Sequence, residues 1–142
     1  MRIDSHQHFW QFDQAAYPWI QPSMDVLRRD YLPEDLAPHL AAAQIEGVVA
    51  VQAQQTVEET RWLLSLADRH PSIRGVVGWA PLVDDGVEVV LGELAHHARL
   101  KGIRHILHDE PDDHYMLRDD FNRGVARLAA HGLVYDLSLI HI

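Results

Sequence analysis

Two histidines at spacing two, His6 and His8, stand almost at the start of the chain. Arg2 to Ser5 before them reads as a short strand. Alternate side chains of an extended chain share a face, so Asp4, His6 and His8 line up together while Ile3 and Ser5 turn away. Two imidazoles side by side at a strand end can give two nitrogen ligands to one divalent ion. The same pair can also be two polar residues capping a strand. With 11 histidines in 142 residues a chance pair is easy, so the weight comes from position: a strand end followed at once by Phe9 and Trp10.

Such a pair needs a scaffold, and glycines mark one. Gly47, Gly75, Gly102 and Gly132 each precede an apolar run, at intervals of 28, 27 and 30 positions by subtraction. Val48–Ala53, Val76–Ala80, Ile103–Leu107 and the run beginning Leu133–Asp136 have the β-branched, apolar content of buried strands. Helical patterns fill the gaps. Pro33 opens one that runs to about Gln44, with Pro38 expected to kink it. Thr56 and Glu59 form a capping-box pattern before Trp62, Leu63, Leu66 and Ala67. Asp84 and Asp85 offer caps to a helix carrying Val87, Val90, Leu91 and Leu94. Phe121, Val125, Leu128 and Ala129 share a face of the last helix, which Gly132 stops.

Counting the first strand, five strands alternate with four helices, which predicts βαβ units and a parallel sheet. An open doubly wound sheet and part of a (β/α)8 barrel both accept this. A doubly wound nucleotide binder carries a glycine-rich loop after its first strand; here that position holds histidines and aromatics. The expectation is therefore an α/β fold, a partial TIM (β/α)8 barrel of about five parallel strands with four helices.

Composition narrows the partners. A formal charge of −9, with 12 basic against 21 acidic residues, argues against nucleic acid. No apolar run approaches the roughly 20 residues of a membrane span, and no secretory leader is expected. Without cysteine there is neither a disulfide framework nor a thiolate site, which suits a reducing cytoplasm.

The long connection from Phe9 to Leu32 holds Trp10, Phe12, Tyr17 and Trp19, too aromatic for disorder. Either it is a lid whose rings, Trp10 and Trp19 among them, pack over a ligand, or it tucks its own rings onto the barrel. Arg104, near the end of the fourth strand, offers bidentate contacts to oxygens or an ion pair on the rim. Gln52 shares parity with Val48 and Ala50; it is either a hydrogen-bonding group for a ligand at the barrel mouth or a satisfied polar residue of the barrel's top layer.

Several blocks together resemble the amidohydrolase-2 group of the amidohydrolase superfamily: Ile3-Asp4-Ser5-His6-Gln7-His8-Phe9-Trp10, Leu27 to Leu36, Val51-Gln52-Ala53 and Leu100 to His105. Within that group the similarity is strongest to sugar-lactone hydrolases. The resemblance covers residues 1–136 and implies the N-terminal half of a TIM barrel. It also implies a divalent metal, zinc or manganese, on His6 and His8, and opening of a small sugar (aldono)lactone by attack of metal-bound water. Further ligands and the acid–base group of such enzymes come from later strands. A non-catalytic α/β module binding a small ligand, and a decarboxylase-like member of the same superfamily, are the alternatives. Residues 137–142 depart from the family pattern and resemble a translated sequencing-library adaptor, so a truncation of the frame is expected there.

Overall fold

A computed structural model describes residues 1–138. Five strands alternate with four helices: β1 (Ile3–Gln7), α1 (Pro33–Ala43), β2 (Gly47–Val51), α2 (Val57–Arg69), β3 (Ile73–Gly78), α3 (Val87–Ala95), β4 (Leu100–Ile106), α4 (Asp119–Arg127) and β5 (Val134–Ser138). Each strand lies parallel beside its predecessor, in the order β1-β2-β3-β4-β5. A doubly wound sheet would reverse direction after its first strands; this one winds one way only, as a barrel does.

The sheet also curls. In a flat sheet β1 and β4 would stand about 14 Å apart, three strand gaps of about 4.8 Å. Arg104 on β4 nevertheless reaches within 3.4 Å of His6 on β1. The chain is a half-barrel with helices on its outer face.

Between sheet and helices lies one apolar core. Val48, Ala50, Ile73, Val76 and Ile103 from the strands meet Leu63, Leu91, Leu94, Phe121 and Leu128 from the helical side. Two glycines permit the closest approaches. A Cβ on Gly78 would lie 2.3 Å from Thr60 Cγ2, and one on Gly124 would lie 1.9 Å from the Leu82 carbonyl oxygen. Thr60 uses that proximity, its hydroxyl accepting from the Trp79 N–H at 2.8 Å and so tying α2 to the end of β3.

Some local expectations change. Gly86, not Asp84 or Asp85, occupies the N-cap of α3, with no side-chain cap bond; the Asp84 N–H instead closes a turn onto the Pro81 carbonyl. α1 stays helical on both sides of Pro38. The last helix gives way at Leu128 to a 3-10 turn that ends on Gly132 in the left-handed region. Leu137 and Ser138 continue β5 opposite His105 and Ile106, whereas residues 139–142 of the expected non-family tail lie outside the described residues. Among the described residues no helix is long and apolar enough to cross a membrane.

Candidate active site

His6 lies near the end of β1 and His8 follows directly after it, and the two rings come together on one side. His6 Nε2 and His8 Nε2 are 3.1 Å apart, with the rings edge to face at 80°. His8 Nδ1 lies 2.9 Å from the Val51 carbonyl oxygen on the neighbouring strand. A carbonyl only accepts, so Nδ1 carries the hydrogen and the neutral ring presents a bare lone pair at Nε2. Arg104 Nη1, 3.4 Å from His6 Nε2, only donates, which puts that nitrogen too in the accepting role. Two imidazole nitrogens facing each other at 3.1 Å can share a proton in an N–H···N bond or share a metal ion. The proton is disfavoured at His8: burial lowers its pKa first, and the charges of His6 and Arg104 lower it further against the opposing Val51 bond.

The donor set therefore fits two ligands of a divalent ion, for which nitrogen bonds of about 2.0–2.1 Å are usual. The Val51 carbonyl is the kind of partner that orients a ligating imidazole. Among the described residues, no group of three or more His, Cys, Asp and Glu side chains is arranged to hold the ion by itself.

A cavity of about 260 Å³ opens beside the pair, lined by His8, Trp19, Gln52, Ala53, Arg104, Ile106, His108 and Asp109. Gln52 is fully buried in its wall. Neither its amide oxygen nor its amide nitrogen bonds a protein group among the described residues. The strand-parity expectation takes a turn here. Val48 and Ala50 face the helices, but β2 ends at Val51, and past that point Gln52 reaches the cavity. Arg104 is half-buried; burial lowers its pKa and Asp136, its register partner on β5, raises it again.

The aromatic connection does both things open to it. Trp10, Tyr17 and Ile20 are buried in a cluster of their own with Ala53. The Trp10 indole donates to the Arg29 carbonyl at 2.9 Å and does not line the cavity. Trp19, 39% exposed, stands edge-on to Trp10 at 6.0 Å and forms a cavity wall, its indole N–H donating to the Ala53 carbonyl at 3.2 Å.

Sequence reasoning passed over His108, Asp109 and Asp136. The first two follow β4 directly, the position where a barrel's functional loops begin, and that signal was available. His105, also set aside, anchors their loop: its Nε2 lies 2.6 Å from Glu110 Oε1, its Nδ1 accepts from the Trp79 indole at 3.2 Å, and its ring stacks on Tyr115.

Glu59 departs from its expected use. The Thr56 hydroxyl accepts from the Glu59 N–H, completing half of the box. The Glu59 carboxylate instead accepts from the Ala53 and Gln54 N–H groups at 3.0 and 2.7 Å and from the Tyr17 hydroxyl at 3.3 Å.

Known proteins resemble this chain in sequence and fold. The chain is 45% identical over 142 residues to an L-fucono-1,5-lactonase of Burkholderia multivorans, covering 96% of this chain and 46% of that protein. It is 36% identical over 135 residues to an L-fucono-1,5-lactonase of Burkholderia ambifaria, covering 95% and 47%. The chain thus spans about half the length of the curated relatives it matches. A crystal structure of a Burkholderia multivorans amidohydrolase with bound HEPES superposes with a TM-score of 0.92 at 44% identity, over 98% of this chain and 48% of that one. A crystal form with bound zinc gives 0.89 at 43% identity, over 98% and 49%. The Amidohydro_2 family model, described as amidohydrolase, matches residues 3–141, and with the half-barrel and its histidine pair this chain belongs to the amidohydrolase family.

Proposed function

We propose that residues 1–136 are the N-terminal half of a metal-dependent hydrolase that opens a sugar (aldono)lactone such as L-fucono-1,5-lactone. The observation that carries this is the meeting of two imidazole nitrogens, His6 Nε2 and His8 Nε2, at 3.1 Å beside a cavity holding Arg104 and Gln52. Those histidines would hold a zinc or manganese ion, whose chemistry when bound is Lewis acidity towards a carbonyl oxygen and a lowered pKa for water.

The chain's own groups do the rest. Arg104, a fixed cation on the cavity wall, is suited to hold the carbonyl oxygen as negative charge gathers on it. Gln52 offers one acceptor and two donor hydrogens to ring hydroxyls, which removes the penalty of an unpaired buried amide. Trp19 gives the ring an apolar wall, and Trp10 supports Trp19 from behind. Water adds to the carbonyl carbon, the ring C–O bond breaks, and the proton that water gives up ends on the freed hydroxyl, leaving the aldonic acid.

Residues 1–136, grafted in place of the matching half of the Burkholderia multivorans lactonase, test this. The chimera is expected to hydrolyse aldonolactones in preference to apolar lactones and decarboxylase substrates, and its His6→Ala/His8→Ala variant to lose bound metal. Unchanged metal content in that variant, or activity confined to decarboxylase substrates, refutes the assignment.

A further inference from the structure

Glu59 is an acid buried outside the histidine pair, 5% exposed, at the third position of α2. Such a residue at a helix start normally turns back to the cap. Here its two oxygens face two different segments. Oε2 takes the N–H groups of Ala53 and Gln54, immediately after Gln52; Oε1 takes the Tyr17 hydroxyl of the aromatic connection. Ala53 is the hinge between them, because its carbonyl holds the Trp19 indole. Trp19, Gln52 and Ala53 are all cavity-lining residues, while Glu59 itself lies outside the cavity.

We propose that Glu59 is a positioning residue: through Ala53 and Tyr17 it fixes the Trp19 wall of the cavity relative to the Gln52 amide. The functional consequence rests on the lactone assignment, the placement does not. The carboxylate bridges a wall donated by the β2–α2 turn and a wall donated by residues 9–32, two segments that also meet through the Trp19–Ala53 bond, a Tyr17–Gln54 contact and the packing of Trp10, Tyr17 and Ile20 on Ala53. A backbone N–H left without its acceptor beneath a packed loop is expensive, so the turn must move when the carboxylate is removed. Gln at this position would keep the arrangement: its amide oxygen accepts from Ala53 and Gln54, and its amide nitrogen donates to the Tyr17 oxygen.

The test uses the whole chain and needs no lactone. Acrylamide quenching of tryptophan emission is measured in wild type, Glu59→Ala, Glu59→Gln and Tyr17→Phe, each with and without Trp19→Phe, with far-UV circular dichroism as the control for folding. Loss of the hydrogen bonds to Ala53 and Gln54 is expected to raise the open population of the Trp19 wall roughly tenfold in Glu59→Ala. Glu59→Gln is expected to quench like wild type and Tyr17→Phe to fall between. The differences should vanish in the Trp19→Phe background. Wild-type quenching in Glu59→Ala, equal quenching in Glu59→Gln and Glu59→Ala, or differences that survive Trp19→Phe would overturn the proposal. Should Glu59→Ala lose its fold, Tyr17→Phe decides, and unchanged Trp19 quenching there overturns it. Absence of lactone hydrolysis in the chimeric lactonase would count against the enzyme assignment alone.

Discussion

Two glycines inside helices are expected to respond in opposite directions to the same added methyl group. Replacing an interior helical glycine by alanine gains about 1 kcal/mol from helix propensity alone. At Gly92 in α3 the new Cβ would meet only His131 Cε1, at 3.9 Å, which is ordinary contact, so Gly92→Ala should stabilise by about 0.5–1 kcal/mol. At Gly124 in α4 the new Cβ would lie 1.9, 2.7 and 3.0 Å from the Leu82 oxygen, carbonyl carbon and Cα. Those are backbone atoms, so no side chain can rotate away, and α4 must retreat by more than an ångström. Phe121 and Leu128, both 2% exposed, lie one turn to either side on the same face and would lose packing with it. Overpacking of this kind costs about 1–3 kcal/mol, and the lost contacts add to it. Net of the propensity gain, Gly124→Ala should destabilise by about 1–3 kcal/mol, leaving the two variants about 2–4 kcal/mol apart. Urea unfolding of both, followed by far-UV circular dichroism, measures this. Equal midpoints, or a Gly124→Ala midpoint above wild type, would refute the close approach of α4 to Leu82.

Three further outcomes are expected. Expressed alone, residues 1–142 should show no lactone turnover and should self-associate in sedimentation: Val134 and Leu137 on β5 are 62% and 51% exposed, Ile3 on β1 is 37% exposed, and unpaired strand edges recruit other chains; a compact, active monomer would contradict this. Burial raises the Glu59 pKa to about 7 from an ordinary 4.5, against the opposing N–H bonds. The fold therefore keeps a proton that the unfolded chain has already released, and stability should fall by about 3 kcal/mol as pH rises from 4.5 to 7, at about 1.36 kcal/mol per pH unit; urea midpoints in wild type should show that slope and those in Glu59→Gln should not. In the chimeric lactonase, Arg104→Met should lower kcat/KM on the order of 10²-fold, read in a lactone hydrolysis assay, because it removes the guanidinium that this half of the cavity offers to the developing oxyanion.

Much of the architecture was legible because it repeats. The glycines before each strand and the change from helical to strand periodicity are local signals, and they place β2, β3, β4 and β5 within a few residues. The histidine pair was legible for the same reason, since strand parity alone puts His6 and His8 on one side. What escaped is set by tertiary placement. Glu59 read as a capping residue because Thr56 stands three positions before it; that its carboxylate passes the cap for Ala53 and Tyr17 depends on a loop folding over from 42 positions away. Gln52 pointed to the wrong face by parity and reached the cavity only because β2 ends one residue earlier. Asp136 gains its place from the register of β5 against Arg104, which no spacing within β5 reveals. Trp10 and Trp19 share a residue type and a loop, yet one is walled in and the other walls the cavity.

The bond from His8 Nδ1 to the Val51 carbonyl has an evolutionary consequence. Every amino acid supplies a carbonyl, so no point substitution at position 51 removes the acceptor. The choice of which imidazole nitrogen stays free is stored in the alignment of two strands rather than in a side chain. An insertion or deletion of one residue in β2 is another matter, because it would bring an N–H where the oxygen stood and leave the wrong nitrogen protonated. The tautomer of His8 is therefore indifferent to the residue type at position 51, whose side chain is held instead by its complete burial, and is sensitive to any change in length.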